Sequence, residues 1–139
     1  MNSGFEEDMA ADKKSMDEVR KRYIMKEIHP DVYLIRVKNN PYFKIGVSSN
    51  VKRRLSALQM SNPIDLEISA TYKGKGAYSI EKALHRIFEK QKMRNKREWF
   101  CFKENEKLIN NFNKICEKID NLDFDGLYDY IDNGVKDDL

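Results

Sequence analysis

The chain has 139 residues, 35% charged and 40% hydrophobic, which is enough apolar matter for one compact core and too much for a disordered chain. No stretch approaches the roughly 20 apolar residues that span a bilayer, and the acidic start (Glu6, Glu7, Asp8) is unlike a signal peptide, so no membrane partner and a cytoplasmic location are expected. The net charge of +3 conceals a division: residues 1–20 carry −3, 21–119 carry +12 and 120–139 carry −6.

A middle segment this basic suits a polyanion, because each Lys or Arg that neutralises a phosphate releases a condensed counterion. A solvated charged face would have the same composition, so motifs must decide between the two. The charge breaks divide the chain into an N-terminal helical or mobile extension (1–30), a central domain (31–119) and an acidic tail (120–139).

In the extension, Met16, Val19 and Tyr23 form a sparse helical pattern ending near Ile28. Val32 to Val37 and Tyr42 to Val47 are β-branched or aromatic, and Lys38-Asn39-Asn40-Pro41 supplies the turn of a hairpin. Both strands are largely apolar on both faces, so the sheet should be at least partly covered on each side. Ser48-Ser49-Asn50 offers N-cap side chains to a short helix with Val51, Leu55 and Leu58 on its stripe, ending near Ser61-Asn62-Pro63. Leu66, Ile68, Ala70 and Tyr72 alternate with Glu67, Ser69 and Thr71, which predicts a third strand with those four apolar residues on one face, closed by Gly74 and Gly76.

A second helix is expected from about Tyr78 to Gln91, with Ile80, Leu84, Ile87 and Phe88 as its stripe. A basic loop from Lys92 to Arg97 delivers the chain to Glu98-Trp99-Phe100-Cys101-Phe102, read as a short extended piece. The last helix, about 104–119, carries Leu108, Ile109, Phe112, Ile115, Cys116 and Ile119 on one side. Aromatic and aliphatic residues in the tail leave open whether it docks or stays in solvent. These elements predict an α/β fold of the α+β kind: a small, three-stranded, mostly antiparallel sheet flanked by helices. Cys101 and Cys116 lack C-x-x-C spacing, and with only His29 and His85 beside them a four-ligand zinc site is not expected, so both read as core thiols.

Chemistry gathers at a few positions. An even-numbered hairpin connection would set Tyr33 opposite Gly46 and on one face with Lys44. Gly46 either lets a ligand approach or serves only the turn. Arg54 lies about 60° from Val51 around its helix, where a guanidinium either clamps phosphate or covers core surface. Glu81 and His85, at i and i+4, share the rim of the second helix, with Lys92 angled the same way; Glu81 would hold a divalent ion with water and phosphate oxygens or simply face solvent.

In order, Asp31-Val32-Tyr33, Lys44-Ile45-Gly46, Asn50 to Leu55, Glu81 to His85 and Glu98-Trp99-Phe100 resemble the GIY-YIG nuclease family, in particular its phage-associated branch with K-I-G, N-x-x-x-R-L, E-x-x-x-H and E-W-F motifs. The resemblance covers roughly residues 31–102. It implies a DNA endonuclease, bacterial or phage-encoded, that cuts phosphodiesters with one Mg2+ or Mn2+. It also implies Tyr33 as the base, Arg54 as the phosphate-binding arginine and Glu81 as the metal ligand. Lys44 and His85 join the expected catalytic set, and Gly46, Asn50, Arg53 and Lys92 the substrate-contacting set. Asp31 replaces a frequent glycine and Lys44 a tyrosine, so the rival expectation is a DNA-binding or regulatory module without turnover. A further expectation is that the acidic tail folds over the basic face in competition with DNA.

Overall fold

The computed structural model describes residues 29–94, 98–103 and 105–139; the expected N-terminal helix and residues 95–97 lie outside them. The hairpin forms as β1 (Asp31–Val37) and β2 (Tyr42–Ser48), and its four-residue connection sets Tyr33 opposite Gly46 and Ile35 opposite Lys44. Asn39 takes a φ of 63° in that turn, a left-handed conformation that Asn tolerates better than most residues. α1 (Val51–Met60) follows, then β3 (Leu66–Lys73), which pairs antiparallel with β1.

Two departures concern the sheet. A fourth strand, β4 (Trp99–Cys101), pairs antiparallel with β2, so the sheet among the described residues runs β3-β1-β2-β4, with β1 and β2 in the middle. Three residues are too few to display a period of two, which is why this piece reads only as extended in the sequence. In addition, β3 does not keep its four apolar residues on one face. Leu34 pairs with Ala70 but Ile35 with Ile68, so Ser69 is a bulge that reverses the alternation. Leu66 and Ile68 therefore join one layer, Ala70 and Tyr72 the other.

Both faces are covered. On one, Tyr33, Ile35 and Val37 pack with Val51, Leu55 and Leu58 of α1. On the other, Val32, Leu34, Phe43 and Ile45 meet α2 (Ala77–Ile87) through Ile80 and Leu84. α3 (Asn105–Asn121) adds Leu108, Phe112, Ile115, Cys116 and Ile119 to the same core. α2 stops at Ile87, short of the expected Gln91, and Glu89–Gln91 forms a tight turn.

α3 runs on past residue 119, and Asp120 in its last turn has a structural task. Its carboxylate accepts from the Gly76 N–H at 3.1 Å and from the Tyr72 hydroxyl at 3.1 Å, capping α2 where Gly76 has no side chain to offer. A Cβ on Gly74 would stand 2.5 Å from that carboxylate.

The acidic tail is docked. α4 (Phe124–Asp129), capped by Asp123, leads into turns over Tyr130–Gly134 and Val135–Asp138. Tyr130 and Val135 are buried in the core, while Asp138, 5% exposed, binds Lys114, Lys118 and the Tyr130 hydroxyl. Asp132 meets Arg86 at 3.7 Å, and the Arg86 guanidinium lies over the Tyr128 ring. The tail thus reaches basic side chains of α2 and α3; none of its described ion pairs runs to Lys44 or Arg54.

Candidate functional site

The hairpin register builds the centre of the site. Tyr33 is 2% exposed, and its ring occupies the space above Gly46, where a Cβ would stand 2.3 Å from the phenol oxygen. The glycine is needed for this close approach, and its φ lies outside the left-handed range, so no special backbone conformation is involved.

Arg54 reaches the same place from α1. Val51 points into the core, Arg54 comes one turn on at the helix edge, and its guanidinium lies near enough to the Tyr33 phenol to favour the phenolate. Burial, the largest influence, pushes the phenol above its ordinary pKa of 10.0; Arg54 opposes this, and the carboxylates of Glu98 and Glu81 add to it. Both carboxylates therefore lie within electrostatic reach of the phenol.

Glu81 sits partly buried on α2. Burial raises its pKa above the ordinary value, the Glu98 carboxylate raises it further, and the Lys44 ammonium opposes both. One turn later the His85 Nε2 lies 2.9 Å from the Ile45 carbonyl and 3.9 Å from a Glu81 carboxylate oxygen. Beyond the Lys44–Trp99 pair the Ile45 N–H still donates to the Glu98 carbonyl at 3.2 Å, whereas the Ile45 carbonyl is met by His85, whose ring stands edge-on to Phe100. Donation to a carbonyl requires the proton on Nε2, which commits that nitrogen to the sheet edge.

Lys44 faces Tyr33's side of the sheet and is 6% exposed. Its ammonium forms an ion pair with Glu98 and lies 5.9 Å from the centre of the Trp99 ring. Glu98 is the residue of this site that sequence reasoning left out of the site, although it stands in the E-W-F motif. It has a φ of 67°, in the left-handed region.

The other expected contacts are placed differently. The Asn50 side chain caps α1, accepting from the Arg53 N–H at 3.0 Å, so its oxygen is engaged in starting the helix. Arg53 is exposed on the outer face of α1. Lys92 pairs with Phe100 beyond the sheet edge and lines a separate cleft with Lys90, Lys103 and Lys107, away from Tyr33 and Arg54. The shortened α2 explains this, since residues 89–91 no longer continue the helical phase that aligned Lys92 with Glu81.

Tyr33, Lys44, Gly46, Arg54, Glu81 and Glu98 thus form one mixed-charge cluster: a phenol under the influence of a guanidinium, an ammonium held by a carboxylate, and a second, partly desolvated carboxylate. Residues 31–118, well over half of the chain, match the T5orf172 domain, and the chain belongs to that family. It is a phage-associated domain found in some nucleases of GIY-YIG-like and HNH-like type, and it points to a nuclease-like or DNA-binding function. Searches of curated proteins and of solved structures gave no match. Among the described residues, no helix is long and apolar enough to cross a membrane.

Proposed function

We infer that the chain is a divalent-metal-dependent DNA endonuclease of GIY-YIG type. The observation that carries this reading is the Tyr33 phenol seated over Gly46 on the same sheet face as Lys44, with the Arg54 guanidinium and the Glu81 and Glu98 carboxylates within electrostatic reach of it. A group that takes a proton from water and a cation that meets phosphate oxygens are thereby adjacent, as phosphodiester hydrolysis requires.

In this reading Tyr33 accepts the proton of the attacking water. Its raised pKa opposes that task, and Arg54 counters it. Arg54 also binds the phosphate through its planar fork, and the Lys44 ammonium supports the charge that builds on the phosphate oxygens. Glu81 fits a cation because burial and the neighbouring Glu98 both disfavour its free carboxylate, and a bound cation offsets both. Among the described residues no group of three His, Cys, Asp or Glu side chains is placed to hold a metal, so Glu81 would hold Mg2+ or Mn2+ together with water and phosphate oxygens. The ion would supply positive charge to the phosphate in the transition state.

A second reading, a DNA-binding module without turnover, draws on the same raised Tyr33 pKa and on Lys44 being neutralised by Glu98. A plasmid-nicking assay with Mg2+ or Mn2+ separates the two. Metal-dependent nicking that Glu81→Ala and Tyr33→Phe abolish supports the nuclease; DNA binding without nicking supports the module; nicking unaffected by Glu81→Ala sinks the site assignment.

A further inference from the structure

Lys44 has a buried stem on the Tyr33 face, and its ammonium is bound to Glu98, whose side chain is 43% exposed. The pair is thus asymmetric: the cation is fixed by the sheet and needs an anionic partner, whereas the carboxylate reaches water if released. Lys44 is the direct cross-strand neighbour of Trp99. In an unbroken strand, residue 98 would point to the opposite face from Trp99, away from the Lys44 side. The φ of 67° at Glu98 breaks that alternation at the strand's start, a conformation that costs a non-glycine residue energy and persists only when its surroundings hold it. Glu98 is therefore aimed at Lys44 by a departure from regular strand geometry. The Glu98 carboxylate is also felt by Tyr33 and Glu81, so it stands within the cluster itself.

We propose that Glu98 is a positioning residue that masks Lys44: it holds the ammonium in the free protein and yields it to a backbone phosphate when DNA enters. The exchange replaces one anionic oxygen partner by another, so the buried ammonium is never left alone, and the released carboxylate turns to solvent. DNA binding must then compete with Glu98, and removing the mask should tighten binding through Lys44 alone. The inference rests on DNA being the ligand of the cluster.

The test is a binding experiment without divalent metal, so that no cleavage intervenes. A short fluorescent duplex is titrated by anisotropy at about 50 mM salt, where one freed phosphate contact is worth about tenfold in affinity. The proteins are the parent, Glu98→Gln, Glu98→Asp, Lys44→Gln and each Glu98 change combined with Lys44→Gln. Glu98→Asp keeps the charge and shortens the reach by one methylene, so it also serves if Glu98→Gln, which leaves the ammonium unpaired, fails to fold. Masking is supported if either Glu98 variant binds about tenfold more tightly with Lys44 present and no more tightly in the Lys44→Gln background. It is overturned if Glu98→Gln tightens binding equally in both backgrounds, which is general charge repulsion, or if neither Glu98 variant tightens binding. A parent protein that binds no DNA overturns the functional reading and this inference together, whereas binding that the Glu98 variants leave unchanged overturns this inference alone.

Discussion

The Tyr33 ring and the Gly46 backbone are in direct contact across the β1–β2 ladder, with the phenol oxygen where the Cβ of any other residue would stand. The smallest side chain at position 46 must therefore displace a buried aromatic ring whose phenol lies within the influence of the Arg54 guanidinium. Gly46→Ala should destabilise the fold by about 1–3 kcal/mol, as overpacking does. It should also lower cleavage by more than that loss of stability explains, because the phenol moves off Arg54. Urea unfolding of the parent and the variant, with nicking measured where both are folded, checks this; a variant with parental stability and activity refutes the contact's role.

The electrostatics of Tyr33 set the direction of the pH dependence. Burial raises the phenol's pKa and Arg54 lowers it, so the fraction of phenolate grows throughout the range from neutral to alkaline pH. If Tyr33 is the base, kcat/KM should rise with pH over that range. Arg54→Gln removes the lowering influence and should move the rising limb to higher pH, besides cutting the rate about 100-fold through loss of a phosphate contact. A pH–rate profile of the two proteins measures both effects. A limb that stays in place in Arg54→Gln would separate the titrating group from Tyr33.

Much of this arrangement is legible in the sequence, for identifiable reasons. The four residues from Lys38 to Pro41 fix an even connection, and an even connection pairs Tyr33 with Gly46 and sets Lys44 on the same face. The helical phase after the Asn50 cap brings Arg54 to the edge of α1. What is not legible depends on contacts across long separations or on breaks in a regular pattern. The bulge at Ser69 interrupts an alternation that is perfect on paper, since side-chain periodicity is blind to the hydrogen-bond ladder. Asp120 caps α2 from 44 residues away, and no local cap signal at Gly76 announces it. Glu98 reaches Lys44 through one left-handed residue, a choice that propensity does not indicate for glutamate. The tail carries its apolar residues in plain view, but its single lysine among seven carboxylates makes it read as solvated.

Asp138 shows how that charged tail is held. Hydrogen bonds from Lys118 and then from Tyr130 pull its carboxyl well below the ordinary value of 3.8, outweighing its burial. A carboxyl with a depressed folded-state pKa adds stability that is fully present above the unfolded pKa, near 4, and is lost as pH falls toward the folded value. Asp138→Asn should therefore cost about 1–3 kcal/mol at pH 7, the scale of hydrogen bonds to a charged group. The gap between parent and variant should narrow as pH drops below about 4. Thermal melts at pH 7 and pH 3 decide it; a gap that stays constant across that interval would place the stabilisation elsewhere.

The docked tail reverses the effect expected of a mobile acidic segment. A solvated tail competing with DNA would, once removed, leave a stable domain that binds DNA more tightly. Here Tyr130 and Val135 belong to the core beside α3, and Asp138 ties the chain to Lys114 and Lys118. Burying two such side chains contributes about 3–6 kcal/mol, a large part of the 5–15 kcal/mol that holds a small domain folded. Truncation after Asn121 should therefore lower Tm sharply or abolish cooperative unfolding, with no gain in DNA affinity. Circular dichroism melts of the shortened chain, paired with its DNA titration, measure both. A truncated protein with parental Tm and tighter, more salt-dependent DNA binding would restore the competing-tail picture and remove the tail from the core.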